Sequence, residues 1–267
     1  MPFYMIILVS LIQGITEFLP VSSSGHLVLV PVITDSPYQG RSIDVAAHVG
    51  TLIAVMWYVR ADLVEMTRSL FSAGRTNPDA FRLIWLLAIG TVPVVIAGTI
   101  INSLNPAWLF DLQVLAIANL VFAVALWLAD TKGALTKKIS DMKWAPAILI
   151  GLAQMTALIP GASRSGVTMT AARFLGFART DAARFSLLLS IPTIAGAGLL
   201  KSRDIIEAGD SSLGLDALLV ALLSAGFALL AIRWMMKWLA QANFTIFVIY
   251  RIALAFAILL AVNMQII

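Results

Sequence analysis

The chain has 267 residues, 60% of them hydrophobic and 12% charged, with 18 Lys+Arg against 14 Asp+Glu for a formal charge of +4. A soluble domain carries roughly 25% charged residues, so a water-soluble globule is excluded and an all-α polytopic membrane protein is expected. The small basic excess has no dense stripe, so nucleic acid is excluded as a partner and the excess is read as loop topology.

Zero cysteines remove disulfides and thiolate chemistry, and two histidines leave little room for an imidazole-based metal cage. The opening run Met-Pro-Phe-Tyr-Met-Ile-Ile-Leu-Val lacks a basic n-region and a small-residue cleavage site. It is read as part of the fold rather than as a signal peptide.

Taken in chain order, residues 3–33 come first: an apolar half, the break Leu19-Pro20-Val21-Ser22-Ser23-Ser24-Gly25-His26, then a second apolar half. Neither half reaches the roughly 20 residues that a crossing needs, so a re-entrant helix pair is predicted. Spans follow at 43–60, 83–102 and 112–129. Residues 146–178 then repeat the interrupted pattern around Pro160-Gly161-Ala162-Ser163-Arg164-Ser165-Gly166, and spans at 183–200, 215–232 and 246–265 complete the chain. Irregular backbone at membrane depth survives only inside protein or beside a polar cavity, so the two breaks are where function is sought.

Loop charge sets the expected orientation. Loop 60–82 holds Arg60, Arg68, Arg75 and Arg82, and loop 130–144 holds Lys132, Lys137, Lys138 and Lys143. Loop 103–111 has no Lys or Arg. The basic loops are placed in the cytoplasm and both termini outside. Loop 201–214, with Lys201 and Arg203 against Asp204, Glu207 and Asp210, is a mild exception.

A shift of 141 superposes Gln13 on Gln154, Ser22 on Ser163, Ser24 on Ser165 and Gly25 on Gly166. Residues 1–130 and 145–267 therefore read as two copies, each a broken pair plus three spans. Three is odd, so the second copy is inverted, with a ligand site expected near the midplane where the copies meet.

Ionisable groups inside hydrocarbon cost energy and are functional suspects. Glu17, His26, Arg164, Arg251 and the pair Asp44/His48 qualify. Gln13 and Glu17 share a helix face at i,i+4 and offer an amide oxygen and a carboxylate to a hard divalent cation. Glu17 can instead act as a base, or only ion-pair with Arg164 or Arg251. The serines at each break cap a half-helix whose N–H groups attract anions. With Arg164 added, two such starts facing each other describe a phosphate cradle. His26 is a candidate acid or base, or a polar residue wetted at the re-entrant mouth. Asp44, with His48 four residues on, is read as an N-terminal carboxylate favoured by the helix dipole. Arg251 either faces the site or snorkels outward. Trp57, Trp85, Trp108, Trp144 and Trp234 read as interfacial anchors.

The segment from Gln13-Gly14-Ile15-Thr16-Glu17 through Ser22-Ser23-Ser24-Gly25-His26, and Pro160-Gly161-Ala162-Ser163-Arg164-Ser165-Gly166-Val167-Thr168, resemble the two signature motifs of the undecaprenyl-diphosphate phosphatase (bacitracin-resistance phosphatase) family. The likeness extends over the whole chain, through Phe185-Ser186-Leu187-Leu188-Leu189-Ser190-Ile191-Pro192 and Tyr250-Arg251. It implies an inverted-repeat helical enzyme of the bacterial plasma membrane that hydrolyses a polyprenyl diphosphate to the monophosphate, with its site facing outward. That reaction recycles the carrier lipid for peptidoglycan and confers bacitracin tolerance.

It also implies a divalent metal, Mg²⁺ or Ca²⁺, at Glu17 and Gln13; many relatives carry glutamate at the latter position. Carried over residue by residue, Ser23 is the candidate nucleophile with Ser22 as second choice, His26 or Glu17 takes the proton, and Arg164 neutralises charge. Ser22, Ser24, Ser163, Ser165 and Arg251 are expected to bind phosphate. Attack by metal-bound water stays open, as does homodimer formation; membrane lipids and the prenyl lipid are the expected partners.

A secondary transporter or lipid flippase is the alternative, because broken inverted repeats also build those proteins. A phosphatidic-acid-type phosphatase, suggested by Ser24-Gly25-His26, needs a histidine after Ser163-Arg164, and the chain has none there.

Overall fold

In the computed structural model, which describes residues 1–207 and 214–264, the apolar runs form helices, because a segment in hydrocarbon must satisfy its own backbone. The first half holds α1 (Phe3–Thr16), α2 (Ser23–Thr34), α3 (Arg41–Tyr58), α4 (Arg60–Phe71), α5 (Pro78–Leu104) and α6 (Leu112–Lys132). The second holds α7 (Trp144–Met155), α8 (Arg164–Phe174), α9 (Arg179–Glu207), α10 (Leu215–Leu239) and α11 (Thr245–Asn263). Among the described residues, the extended pairing is a single bridge between Lys137 and Phe177.

Helices α5, α6, α9, α10 and α11 are long and apolar enough to cross a membrane. Helices α3 and α4 meet the same standard only together, and they are bent by 76° at their junction. The protein is a multi-pass helical membrane protein. Its outward surface carries large apolar side chains such as Ile96, Val121, Leu222, Leu230, Phe256 and Leu260, each more than half exposed, as lipid in place of water allows.

The four broken-pair helices stay short. They run 14, 12, 12 and 11 residues for α1, α2, α7 and α8. At 1.5 Å per residue that is about 17–21 Å, against a hydrocarbon core of about 30 Å. Neither half of either pair crosses alone, as the interrupted pattern predicts.

Two loop assignments change. Residues 60–82 are not one loop: α4 occupies 60–71, and α5 starts at Pro78 rather than at 83. Asn77 accepts a hydrogen bond from Ala80 N at 2.9 Å with Pro78 in the first helical turn. This Asn-Pro start is written in the sequence and moves the helix boundary ahead of the apolar run. In the second half α9 continues to Glu207, so the charged stretch 201–207 is helical backbone; 208–213, with Asp210, lie outside the described residues.

Packing relates the halves reciprocally. α1 lies on α10 and α7 on α5; α3 packs on α10 and α9 on α5. α3 meets α9, and α6 meets α11. α8 packs on α6, while Leu29 of α2 joins a cluster with Ile258 of α11. Each broken pair is thus held mainly by long helices of the other half, which brings the two breaks to one place.

Candidate active site

Both breaks are built by one local device. Ser22 and Ser163 hold left-handed backbone, φ 73° and 70°, a conformation that costs a non-glycine residue energy and clusters at functional sites. Each then caps the helix it opens. Ser22 Oγ accepts from Gly25 N at 3.4 Å and Ser163 Oγ from Gly166 N at 3.2 Å. Each hydroxyl also meets the serine two residues on, Ser24 at 3.3 Å and Ser165 at 3.2 Å. The serines thus share capping with hydroxyl clusters at both helix starts.

The breaks touch. Ser165 Oγ donates to Leu19 O at 2.8 Å. Arg251, fully buried, donates to Pro20 O at 3.4 Å in the first break and to Gly161 O and Ala162 O at 2.9 and 3.0 Å in the second. Its Nε donates to Asn119 Oδ1 at 2.6 Å, and Asn119 Nδ2 returns a bond to Arg251 O at 3.3 Å. The snorkelling reading of Arg251 is therefore corrected. Each nitrogen of its fork meets a protein oxygen, so the guanidinium ties the two breaks together and keeps one Nη1 hydrogen over for a further acceptor. A carbonyl-lined pocket is the better-solvated place for a cation that cannot reach water.

Gly161 lets the second break approach. It sits at φ +88°, and a Cβ there would stand 2.1 Å from Leu115 O. Gly161→Ala is expected to push the break off α6 and lower both thermal stability in detergent and turnover; a melting temperature within 1 °C of wild type, on the order of the noise for ±0.5 kcal/mol surface changes, would contradict this packing.

Glu17 joins the two halves chemically. Its Oε1 accepts from Arg164 Nη2 at 2.8 Å. Its Oε2 accepts from Ser23 Oγ at 2.7 Å and from Gln13 Nε2 at 3.0 Å. The carboxylate is 8% exposed. Gln13, Glu17, Ser23 and Arg164 therefore form one contact set from two halves of the chain. Two buried atoms in that set have no protein partner: Gln13 Oε1 and Arg164 Nη1. An unpaired acceptor and an unpaired donor in one site are complementary to a cation and an anion. Phe18 backs the Arg164 guanidinium, with 5.7 Å from Cζ to the ring centre.

His26 stands at the edge. Its Nδ1 faces Ser22 O at 2.7 Å and its Nε2 faces Tyr250 OH at 2.5 Å, with the two rings stacked at 5.6 Å. Both nitrogens are thus engaged away from the Ser23 hydroxyl. Asp44 lies in the first turn of α3 as expected and accepts from Tyr38 OH and Gln39 Nε2. His48 meets Asp44 only through the main-chain oxygen. Its Nε2 lies 3.8 Å from Glu17 Oε2, inside the site.

Asn119 is the site neighbour that sequence reasoning passed over, whereas His48 and Tyr250 are named from the sequence without a role in the site. Asn119 sits in the middle of an apolar span, a legible signal of a buried polar contact. The other two become neighbours only through packing.

The sequence profile of the family described as "Bacitracin resistance protein BacA" matches residues 6–257. The chain belongs to this family. Among its relatives, a protein of Erythrobacter litoralis named undecaprenyl-diphosphatase is 43% identical, covering 97% of this chain and 99% of its own length. Proteins of the same name from Ruegeria sp. and Maricaulis maris are each 46% identical, over 97% and 96% of this chain and 98% and 97% of their own. In this BacA-family chain the two breaks, and with them Glu17 and Arg164, fall wholly inside the matched range.

Proposed function

We propose that the chain removes the terminal phosphate of undecaprenyl diphosphate at the meeting of the two breaks, releasing undecaprenyl phosphate for reuse as a cell-wall lipid carrier. The observation that carries this reading is the Ser23 hydroxyl donating to Glu17 Oε2 at 2.7 Å while Arg164 holds the other carboxylate oxygen. A hydroxyl, a base in contact with it and an orienting cation are the parts of an activated nucleophile. A site that only binds and moves a lipid has no use for that contact, so the transporter reading is the weaker one.

In this reading Ser23 Oγ attacks the terminal phosphorus, its proton passes to Glu17, and the bond to the bridging oxygen breaks as prenyl monophosphate leaves carrying that proton, which restores the carboxylate. Water, deprotonated by the same carboxylate, then hydrolyses the phosphoserine. Glu17 is favoured over His26 as the base because only Glu17 contacts the hydroxyl. Ser23 is favoured over Ser22 because Ser22 is 2% exposed and spends its oxygen on the Gly25 cap. Arg164 Nη1 and the amides opening α2 and α8 receive phosphate oxygens.

The donor set fits a divalent cation of the kind that shares its shell with a phosphate. Gln13 Oε1 is a buried acceptor without a partner beside the Glu17 carboxylate. Among the described residues no three His, Asp or Glu side chains converge, so an ion there would complete its shell from substrate and water. Glu17 and Gln13 would hold it, and it would neutralise diphosphate charge.

The halves are read as inverted repeats in the bacterial inner membrane. The basic segments, with Arg68 in α4 and Lys138 in the loop after α6, lie in the cytoplasm, the site opens outward and the prenyl tail lies among the spans. Phosphate release from polyprenyl diphosphate by purified protein tests the reaction. Ser23→Ala is expected to lower it by at least about 10³-fold, whereas lipid binding without any release by wild type would favour the transporter.

A further inference from the structure

His48 has no part in the reaction just described, yet it points at the reacting carboxylate. Its Nδ1 lies 2.7 Å from the main-chain oxygen of Asp44. A carbonyl only accepts, so Nδ1 carries the hydrogen and Nε2 of the neutral ring presents a bare lone pair. That lone pair faces Glu17 Oε2 across 3.8 Å, a separation too long for a hydrogen bond. Gln13, whose Nε2 touches the same carboxylate oxygen, adds a further acceptor, its buried Oε1, which has no partner.

Two of these electron-pair donors, His48 Nε2 and Gln13 Oε1, receive no proton from the protein, and they flank a carboxylate oxygen that accepts from Ser23 and Gln13. Two ligands held at about 2.1 Å from one small divalent ion stand roughly 3–4 Å apart, which is the observed spacing of Nε2 and Oε2. Metal-bound imidazoles characteristically donate their other N–H to a backbone carbonyl, which fixes ring and tautomer; His48 already does so with its own helix.

We propose that His48 Nε2 is the third protein ligand of a divalent cation held by Glu17 and Gln13, and that this imidazole turns the site from Ca²⁺ toward a borderline ion such as Mn²⁺. Ca²⁺ prefers an all-oxygen shell of six to eight ligands, whereas nitrogen donors raise affinity for first-row transition ions. Arg164 keeps Glu17 Oε1, so the ion would share Oε2 with the Ser23 hydroxyl and the Gln13 amide. The inference shares Glu17 with the diphosphatase reading and adds which ion and which further ligand.

The test uses the full chain purified in detergent and Mn²⁺ alone, with no lipid substrate. Binding is followed by electron paramagnetic resonance of free Mn²⁺, and the bound ion's spin echo is examined for imidazole nitrogen. One Mn²⁺ per chain is expected, with a nitrogen modulation that changes when the histidines are labelled with nitrogen-15. His48→Gln is expected to abolish that modulation and weaken Mn²⁺ by about 10-fold or more, with a smaller effect on Ca²⁺.

The labelled wild type carries the test even where the variant folds poorly. Absence of saturable Mn²⁺ binding, a bound ion without imidazole nitrogen, or a nitrogen signal unchanged in His48→Gln overturns the proposal. Because no substrate is present, phosphate release measured separately decides the diphosphatase reading without touching this one.

Discussion

Glu17→Gln is expected to lower kcat for phosphate release by about 10²–10⁴-fold, the range of general-base catalysis, with KM unchanged or lower. The amide is nearly isosteric and can still accept a hydrogen bond from Ser23, so the nucleophile stays in place. It cannot take the proton that the attack must discard. The change also frees Arg164, whose Nη2 bond to Glu17 Oε1 is a charge-assisted pair, to bind substrate phosphate with its full charge. Ground-state binding is therefore retained while the step through the transition state is lost. If Glu17 served only as the structural counter-ion of Arg164, the pattern would differ. Removing one partner of a buried pair costs about 3–5 kcal/mol, so the melting temperature would fall sharply and the folded fraction would keep wild-type turnover. Steady-state kinetics beside a thermal melt of the same preparation separate the two.

Arg251→Leu is expected to be the most damaging single change to stability, about 3–5 kcal/mol, because it strips four oxygen acceptors of one donor at once. Pro20 O, Gly161 O, Ala162 O and Asn119 Oδ1 belong to both breaks and to α6. Without the guanidinium those carbonyls remain in a site that water reaches poorly. Arg251→Lys is expected to recover little, since one ammonium cannot span Asn119 and both breaks as a planar fork does. The second readout is coupling: combined with Asn119→Ala, the loss should fall short of the sum by roughly 0.5–3 kcal/mol. Thermal melts in one detergent measure Arg251→Leu, Arg251→Lys, Asn119→Ala and the double variant, and additive losses would mean that the Arg251–Asn119 contact is not shared.

The architecture was legible because a membrane protein writes its spans as long apolar runs, and a re-entrant pair as a run interrupted by Pro, Ser and Gly. The chemistry was legible for a related reason. Few residues in such a chain can afford charge at membrane depth, so Glu17, Arg164 and Arg251 stood out one by one. What stayed hidden depends on three dimensions. Whether Arg251 points to lipid, to substrate or to its own fold is decided by the carbonyls that Gly161 and Pro20 bring to it, and spacing along the chain contains no trace of that meeting.

The same holds for His48. Its four-residue spacing from Asp44 suggested a local pair, and only the crossing of α1 with α3 carries it to Glu17. Arg173 could have been found by the test that found Arg164, since it too lies inside the second interrupted run. It is fully buried and joins Asp130, Gly133 and Ala134 to the end of α8, with Arg179 sharing Asp130. That cluster fastens the second pair at the end away from the break, and the charged loop beside it masked the signal. Helix α4 was hidden by its arginines, which read as loop topology although the segment is a helix turned by 76° from α3.

The account turns on one covalent bond. Purified chain turning over polyprenyl diphosphate labelled in its terminal phosphate is quenched with acid, digested and read by peptide mass spectrometry. Label on Ser23, absent from Ser22 and Ser24 and lost in Ser23→Ala, is the predicted result. Steady release of phosphate from a chain that never carries the label, with Ser23→Ala as fast as wild type, would contradict it.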